Sequence, residues 1–185
     1  MKIVILSDIH DNIWNLRAAL SRLTQADALI CCGDLCSPFV VNLLADGFRE
    51  RPIHIVFGNN DGDRFRILKV AGRFGYVHID GEFLQTELGG KRFAINHFND
   101  MGMRLAHTDQ FDVVCFGHNH CYQVERVGAT LALNPGTLMG FDPINVKEVP
   151  STLIIYDTKS DTASGYQLAG GPGHATEINK LIPYP

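Results

Sequence analysis

The sequence predicts an α/β fold of two facing mixed β-sheets flanked by helices, and three observations carry that prediction. Continuous apolar runs at residues 2–7, 28–32 and 52–57 alternate with segments whose apolar residues recur every three to four positions, the pattern of buried parallel strands joined by right-handed helical crossovers. From Tyr76 the pattern shifts to short strand-like runs, two of them joined across the hairpin signal Leu88-Gly89-Gly90. Five of the runs also stop at residues able to bind metal: Ser7-Asp8-Ile9-His10, Gly33-Asp34, Gly58-Asn59, Asn96-His97 and Gly117-His118-Asn119-His120.

Residues 2–7 form the first strand. Asn12 can cap a helix whose apolar positions Ile13, Leu16, Leu20 and Leu23 lie on one face and which ends near 24–26. The second strand, 28–32, stops at Gly33-Asp34. Pro38 opens a short helix through about residue 45, and the third strand, 52–57, runs into Gly58-Asn59-Asn60-Asp61. Residues 63–71 read as a helix, then 76–79, 82–87 and 91–96 as short strands. A helix over about 101–107 precedes strand 113–116, which delivers Gly117-His118-Asn119-His120. Runs at 122–126, 130–133, 152–156 and 163–167 supply a second, largely antiparallel set of strands. Residues 141–149 read as a loop near the site, and the Gly/Pro-rich stretch from about 170 to 185 as a surface tail on one domain spanning 1–185.

Composition narrows the function. A chain of 185 residues with 45% hydrophobic residues can build one core of ordinary size. Its formal charge of -4 and lack of a basic stripe disfavour stable nucleic-acid binding, which needs many Lys/Arg contacts to phosphate. The run 2–6 is too short for a signal segment and no stretch approaches the roughly 20 apolar residues that span a bilayer, so a cytoplasmic protein without membrane contact is expected. Five cysteines, Cys31, Cys32, Cys36, Cys115 and Cys121, are odd in number and irregularly spaced. They read as reduced thiols; a thiolate zinc site lacks the second pair it would need.

Each candidate ligand has a plain alternative: Asp8 and His10 a turn after a strand, His97 a hydrogen-bonded core histidine, His118 and His120 two loop residues. The combination is harder to explain by packing. Ligands in doubly wound folds gather at the carboxyl ends of strands, where all seven sit, and on an extended segment His118 and His120 point the same way. Two Asp, one Asn and four His make a nitrogen and oxygen donor set suited to two divalent cations side by side. Gly33, Gly58 and Gly117 permit close backbone approach there. His54, His78, His107 and His174 lack such placement and read as structural or exposed.

As a set, Asp8-Ile9-His10, Gly33-Asp34, Gly58-Asn59-Asn60-Asp61, His97 and Gly117-His118-Asn119-His120 closely resemble the calcineurin-like metallophosphoesterases, in particular their compact YfcE/Vps29-like phosphodiesterase branch. The resemblance runs from Met1 to about Gln167. It implies a four-layer αββα sandwich and two metals, Mn2+ in the first place, with Fe, Zn, Ni or Co also compatible. One metal would be held by Asp8, His10, Asp34 and His120, the other by Asp34, Asn59, His97 and His118, with Asp34 bridging. It also implies a phosphodiesterase that attacks a small phosphate-ester substrate with a metal-bridging hydroxide. Asn60 and Asp61 are the catalytic candidates, and Asn12, Asn60 and Asn119 the substrate-binding ones, Asn12 through backbone N–H groups at its helix start. Asn99 and Asp100 are further pocket-lining candidates. Many relatives carry a His at the position of Asn60, and an amide cannot serve as a general acid. Two other readings stand: a non-catalytic Vps29-like interaction scaffold, which has no need of an intact ligand set, and a nuclease, which calls for a basic groove. A homo-oligomer is compatible with either.

Overall fold

The computed structural model describes residues 1–168 and 181–185. Its elements run β1 (Lys2–Leu6), α1 (Ile13–Leu20), β2 (Ala28–Cys31), α2 (Pro38–Gly47), β3 (Ile53–Ile55), α3 (Arg64–Ala71), β4 (Val77–Ile79), β5 (Phe83–Leu88), β6 (Lys91–Asn96) and α4 (Asn99–Ala106). The second half holds β7 (Val113–Cys115), β8 (Tyr122–Val127), β9 (Thr130–Pro135), β10 (Phe141–Asp142), β11 (Lys147–Glu148), β12 (Thr152–Asp157), β13 (Thr162–Leu168) and β14 (Leu181–Tyr184).

Local chemistry sets the helix starts. The Asn12 carboxamide oxygen accepts the Asn15 N–H at 3.0 Å, the Asp63 carboxylate accepts the Arg66 N–H at 2.9 Å, and Pro38 opens α2. Each satisfies, or removes, a donor that the first helical turn leaves free.

A first sheet has the order β14-β13-β12-β1-β2-β3-β4 and a second the order β5-β6-β7-β9-β8. Strand alternation builds the layers. From β1 and β2, Val4, Leu6, Leu29 and Cys31 face a core shared with helices α1 to α3. Ile3, Ile5, Ala28 and Ile30 face the other way, onto Phe93, Ile95, Val113, Cys115, Leu131 and Leu133 of the second sheet. Behind that sheet, Ala94, Val114 and Ala132 pack with Ala106 of α4 and with Phe116. The result is helices, sheet, sheet, helix, in agreement with the fold class read from the sequence.

The partition of strands differs from expectation. The later strands do not form a separate antiparallel set: β12 lies antiparallel beside β1, with Ile5 opposite Ile154, and carries β13 into the first sheet. The middle of the second sheet is parallel, β6 to β7 and β7 to β9. The reason is coverage. β1 is buried on both faces and needs a partner on both edges, and β12 brings Ile154 and Tyr156 to the inter-sheet core. The expected loop at 141–149 contains the two-stranded β10–β11 hairpin. Most of the expected tail, residues 170–180 including His174, lies outside the described residues; Leu181–Tyr184 pairs with β13 as an edge strand, where a proline such as Pro183 is tolerated. No helix among the described residues is long and apolar enough to cross a membrane.

The cysteines sample this layering. Cys31, Cys32 and Cys115 are fully buried and Cys121 is exposed. A thiol reagent followed by mass spectrometry is expected to label Cys121 in the native protein, and Cys31, Cys32 and Cys115 only as denaturant unfolds it. Labelling of Cys115 as fast as Cys121 would contradict the two-sheet core.

Candidate metal centre

The three parallel strands β1, β2 and β3 end at one edge of the first sheet, and β6 and β7 end at the facing edge of the second. The turns leaving those ends bring the seven candidate ligands together. His10 Nε2 lies 3.7 Å from Asp8 Oδ1, 3.6 Å from Asp34 Oδ2 and 3.3 Å from His120 Nε2, while His120 Nε2 is 3.3 Å from Asp8 Oδ1. On the other side His97 Nε2 is 3.4 Å from Asp34 Oδ2, 3.0 Å from Asn59 Oδ1 and 3.2 Å from His118 Nδ1. Asp34 stands between the halves. Asp8 also reaches the second half, grouping with Asp34 and His97 as well as with His10 and His120.

The donor set fits metal. Zinc-type bonds of about 2.1 Å place neighbouring donors about 3.0 to 3.5 Å apart, the spacing seen here. Among the described residues Asp8 Oδ1 is buried without any hydrogen-bond partner, a costly arrangement for an anion unless a cation meets it. The imidazoles are aimed the same way. His97 Nδ1 lies 2.8 Å from the Cys32 carbonyl and His120 Nδ1 2.6 Å from the Phe141 carbonyl. A carbonyl oxygen only accepts, so each Nδ1 carries the proton and each neutral ring turns an Nε2 lone pair toward a carboxylate. Only a proton or a metal ion between them removes that repulsion.

The titration directions say the same. Burial works against charging His97 and His120, but the carboxylates of Asp34 and Asp8 outweigh it and raise both above 6.5. Burial likewise opposes ionisation of Asp8 and Asp34; His10 and His120 around Asp8, and His97 and Asn60 around Asp34, prevail and hold both carboxyls below the usual range. His118 is lowered by burial and by the charge of His97.

The backbone is specialised here. Of the eleven non-glycine residues with positive φ among the described residues, seven lie in these turns: Asp8, His10, Asp11, Asp34, Cys36, His118 and His120. Asp, Asn and His tolerate that region best. Since His118 and His120 both have left-handed backbones, the expected extended segment is in fact a turn, which sends one imidazole to each half of the site. Gly58 and Gly117 are there for room: a Cβ on Gly58 would strike the Asp34 carboxylate, and one on Gly117 would strike Ser7 Oγ.

The other candidate site residues are held by hydrogen bonds of their own. Asp61 is buried, and its carboxylate accepts N–H groups from Asp34, Cys36 and Gly58 at 3.1, 2.8 and 2.6 Å, which ties the Asp34 and Asn59 loops together. Asn12 donates its N–H to the Ile9 carbonyl at 2.9 Å and its amide to the Met139 carbonyl at 3.0 Å, so it caps α1 and tethers a loop. Asn119 Oδ1 accepts from Cys121 N and Asn134 Nδ2 at 3.0 and 2.9 Å, bracing the turn. Asn60 donates its N–H and its amide to Asp34 at 2.7 and 2.8 Å. Asn99 and Asp100 bond each other at the start of α4. His54 stacks on His78, and His107 caps α4.

Two neighbours escaped the sequence reading. Phe98, 40% exposed, meets His97 and His118 edge-on at centroid distances of 5.2 and 5.1 Å; only its place after His97 hinted at this. Cys36 Sγ lies 3.5 Å from His10 Nδ1, its thiol pushed up to about 12 by burial and by Asp11.

Comparison with known proteins follows this geometry. Residues 1–161 match the family model of the calcineurin-like phosphoesterase superfamily domain. A phosphodiesterase of Methanocaldococcus jannaschii, MJ0936, is 32% identical over 147 residues, 76% of this chain and 86% of its own. A solved archaeal phosphodiesterase superposes with a TM-score of 0.80 at 29% identity, covering 91% of this chain and all of that one. Vps29 of Entamoeba histolytica, solved with zinc, shares the fold at a TM-score of 0.66 and 16% identity over 100% of this chain and 97% of its own.

Because the metal-free fold favours protonated His97 and His120, metal must displace protons. Adding Mn2+ to metal-free protein in weak buffer is expected to release protons at about pH 6.5 and progressively fewer toward about pH 8.5, with affinity rising over the same range. Calorimetry in buffers of different ionisation enthalpy reads the count, and zero release at the lower pH would contradict the assignment. Gly117→Ala is expected to weaken Mn2+ binding at least about tenfold, since crowding Ser7 and Asp8 displaces a ligand; equilibrium dialysis measures it.

Proposed function

The chain belongs to the calcineurin-like phosphoesterase superfamily, and from that premise we propose that it is a binuclear metal-dependent phosphodiesterase of small phosphodiesters, with manganese the first metal to test. It is a hydrolase acting on phosphoric esters. The observation that supports a pair of metals is Asp34, whose Oδ2 lies 3.6 Å from His10 and 3.4 Å from His97, so one carboxylate oxygen can serve both halves. Divalent cations held by Asp8, His10, Asp34, Asn59, His97, His118 and His120 would lower the pKa of a water to make it a nucleophile and would offset the charge that builds on the phosphoryl oxygens.

The chain's own groups do the rest. The Cys32 and Phe141 carbonyls lock the tautomers of His97 and His120, and Asn60 fixes the Asp34 carboxylate with two hydrogen bonds. Two dications against two carboxylates leave a cationic pocket on a chain of formal charge -4, favourable to a phosphate diester. The amide of Asn60 donates hydrogen bonds but supplies no proton to a departing alkoxide, so diesters and aryl esters with good leaving groups are the preferred substrates. All seven ligand positions are filled, which favours catalysis over a scaffold role. Five cysteines with no disulfide between them fit a reducing, cytoplasmic setting.

Two outcomes test this. Asp34→Asn is expected to lower kcat/KM for bis(p-nitrophenyl) phosphate by a factor on the order of 10³ or more in Mn2+, whereas a scaffold would show no metal-dependent turnover in the parent protein. Rates for bis-aryl, aryl and alkyl phosphates are expected to fall in that order, and Asn60→His to raise the alkyl ester rate by a factor on the order of 10². A parent enzyme that prefers alkyl monoesters would overturn the leaving-group argument.

A further inference from the structure

The charge of this acidic chain is not evenly spread. Helix α3 presents Arg66 and Lys69, three residues apart and therefore on one face, Arg73 follows in the turn just past its C-terminus, and all three line a cavity of about 620 Å³ against α2. The volume lies in the range of roughly 300 to 1,000 Å³ usual for small-molecule sites. Arg49, Arg64, Arg92 and Arg126 each have a carboxylate partner. Among the described residues Arg66, Lys69 and Arg73 have none, and the acidic side chain lining the groove, Asp63, caps α3 through the Arg66 N–H. Two phenyl rings complete the groove: Phe39 and Phe65, each the second residue of its helix, 48% and 79% exposed.

Topology places one end of this groove at the metal centre. Strands β2 and β3 are parallel, so α2 and α3 both begin at the edge where Asp34 and Asn59 emerge. The loops there are tied together: Gly62 donates to the Cys36 carbonyl at 3.2 Å, and Ser37 N to the Asp11 carboxylate at 3.0 Å. From that end α3 extends about 12 Å for its eight residues, with Arg66 and Lys69 along it and Arg73 just past its end.

We infer that the groove between α2 and α3 binds the organic half of the substrate, and that this half is an aromatic group bearing a second anionic phosphate, as in a 5′-phosphorylated dinucleotide. The inference rests on the phosphodiesterase reading of the metal centre and names its substrate class. Exposed phenyl rings suit stacking on a planar base, and guanidinium and ammonium groups free of carboxylates suit a phosphate. A neutral or cationic occupant would leave the three like charges unrelieved. An extended nucleic-acid strand would need cations beyond this one helix.

The test separates the two readings. Metal-free protein is titrated with 5′-AMP, and the Mn2+ enzyme is assayed on 5′-phosphorylated diadenylate and on bis(p-nitrophenyl) phosphate. AMP is expected to bind the metal-free protein. Arg66→Gln/Lys69→Gln/Arg73→Gln should weaken that binding at least about tenfold, and raising NaCl from about 50 to about 500 mM should weaken it in the parent protein. The triple variant should also lower the ratio of kcat/KM for the dinucleotide over the aryl diester at least about tenfold. Phe65→Ala, at an exposed position where folding is not at stake, should cost AMP affinity several-fold. No AMP binding, or equal binding in the triple variant, overturns the groove. Failure to hydrolyse either diester with metal restored overturns the phosphodiesterase reading instead, and the AMP titration still decides the groove.

Discussion

Two carboxylates buried among imidazoles whose lone pairs face them form the constraint on which the rest of this molecule depends. Asp8 is fully buried and Asp34 nearly so, and water cannot screen them. Their charge has to be met by donors of the protein and by a cation. The Asn60 N–H and amide serve Asp34, the His118 N–H serves Asp8 Oδ2 at 3.0 Å, and Asp8 Oδ1 is left for the cation. Asp61, behind them, holds three backbone N–H groups in place. It keeps the loops of β2 and β3 in register with each other, so the distances between ligands follow from how the sheet edge is tied rather than from the ligands themselves.

The four-layer arrangement was legible because burial on both faces leaves a mark on every residue of a strand. β1 and β2 read as continuous apolar runs, and the alternation of Ile3, Ile5 with Val4, Leu6 between two cores is the direct outcome. Pairing partners were not legible. An apolar run such as 152–156 specifies that it is covered, not which edge covers it, and so β12 was expected in the wrong sheet. The same holds at the site. The identities and strand-end positions of the ligands were visible, since those are side-chain properties. The turn at His118 to His120, the carbonyls of Cys32 and Phe141, and the spending of the Asn12 N–H on Ile9 are backbone properties. Any residue supplies a carbonyl, so no residue type announces it.

Charge shows a similar division of scale. A net value of -4 describes the chain as a whole, while α3 and the turn after it gather Arg66, Lys69 and Arg73 along one groove. Summed composition averages these away; helical spacing recovers Arg66 and Lys69, and Arg73 joins them only once the neighbour across the groove is known to be α2 and its exposed Phe39.

The place of β1 carries a consequence for how the chain is made. It is synthesised before both strands it pairs with, β2 on one side and β12, about 150 residues later, on the other. Until Thr152–Asp157 has been synthesised, β1 has an open edge of unpaired amides, and the turn with Asp8 and His10 is not yet held by Leu138 and Met139 donating to the Ser7 and Asp8 carbonyls. Completion of this sheet therefore waits for translation of β12, through contacts of long sequence separation that close slowly. The nascent protein has to keep this strand from pairing with neighbours during that interval.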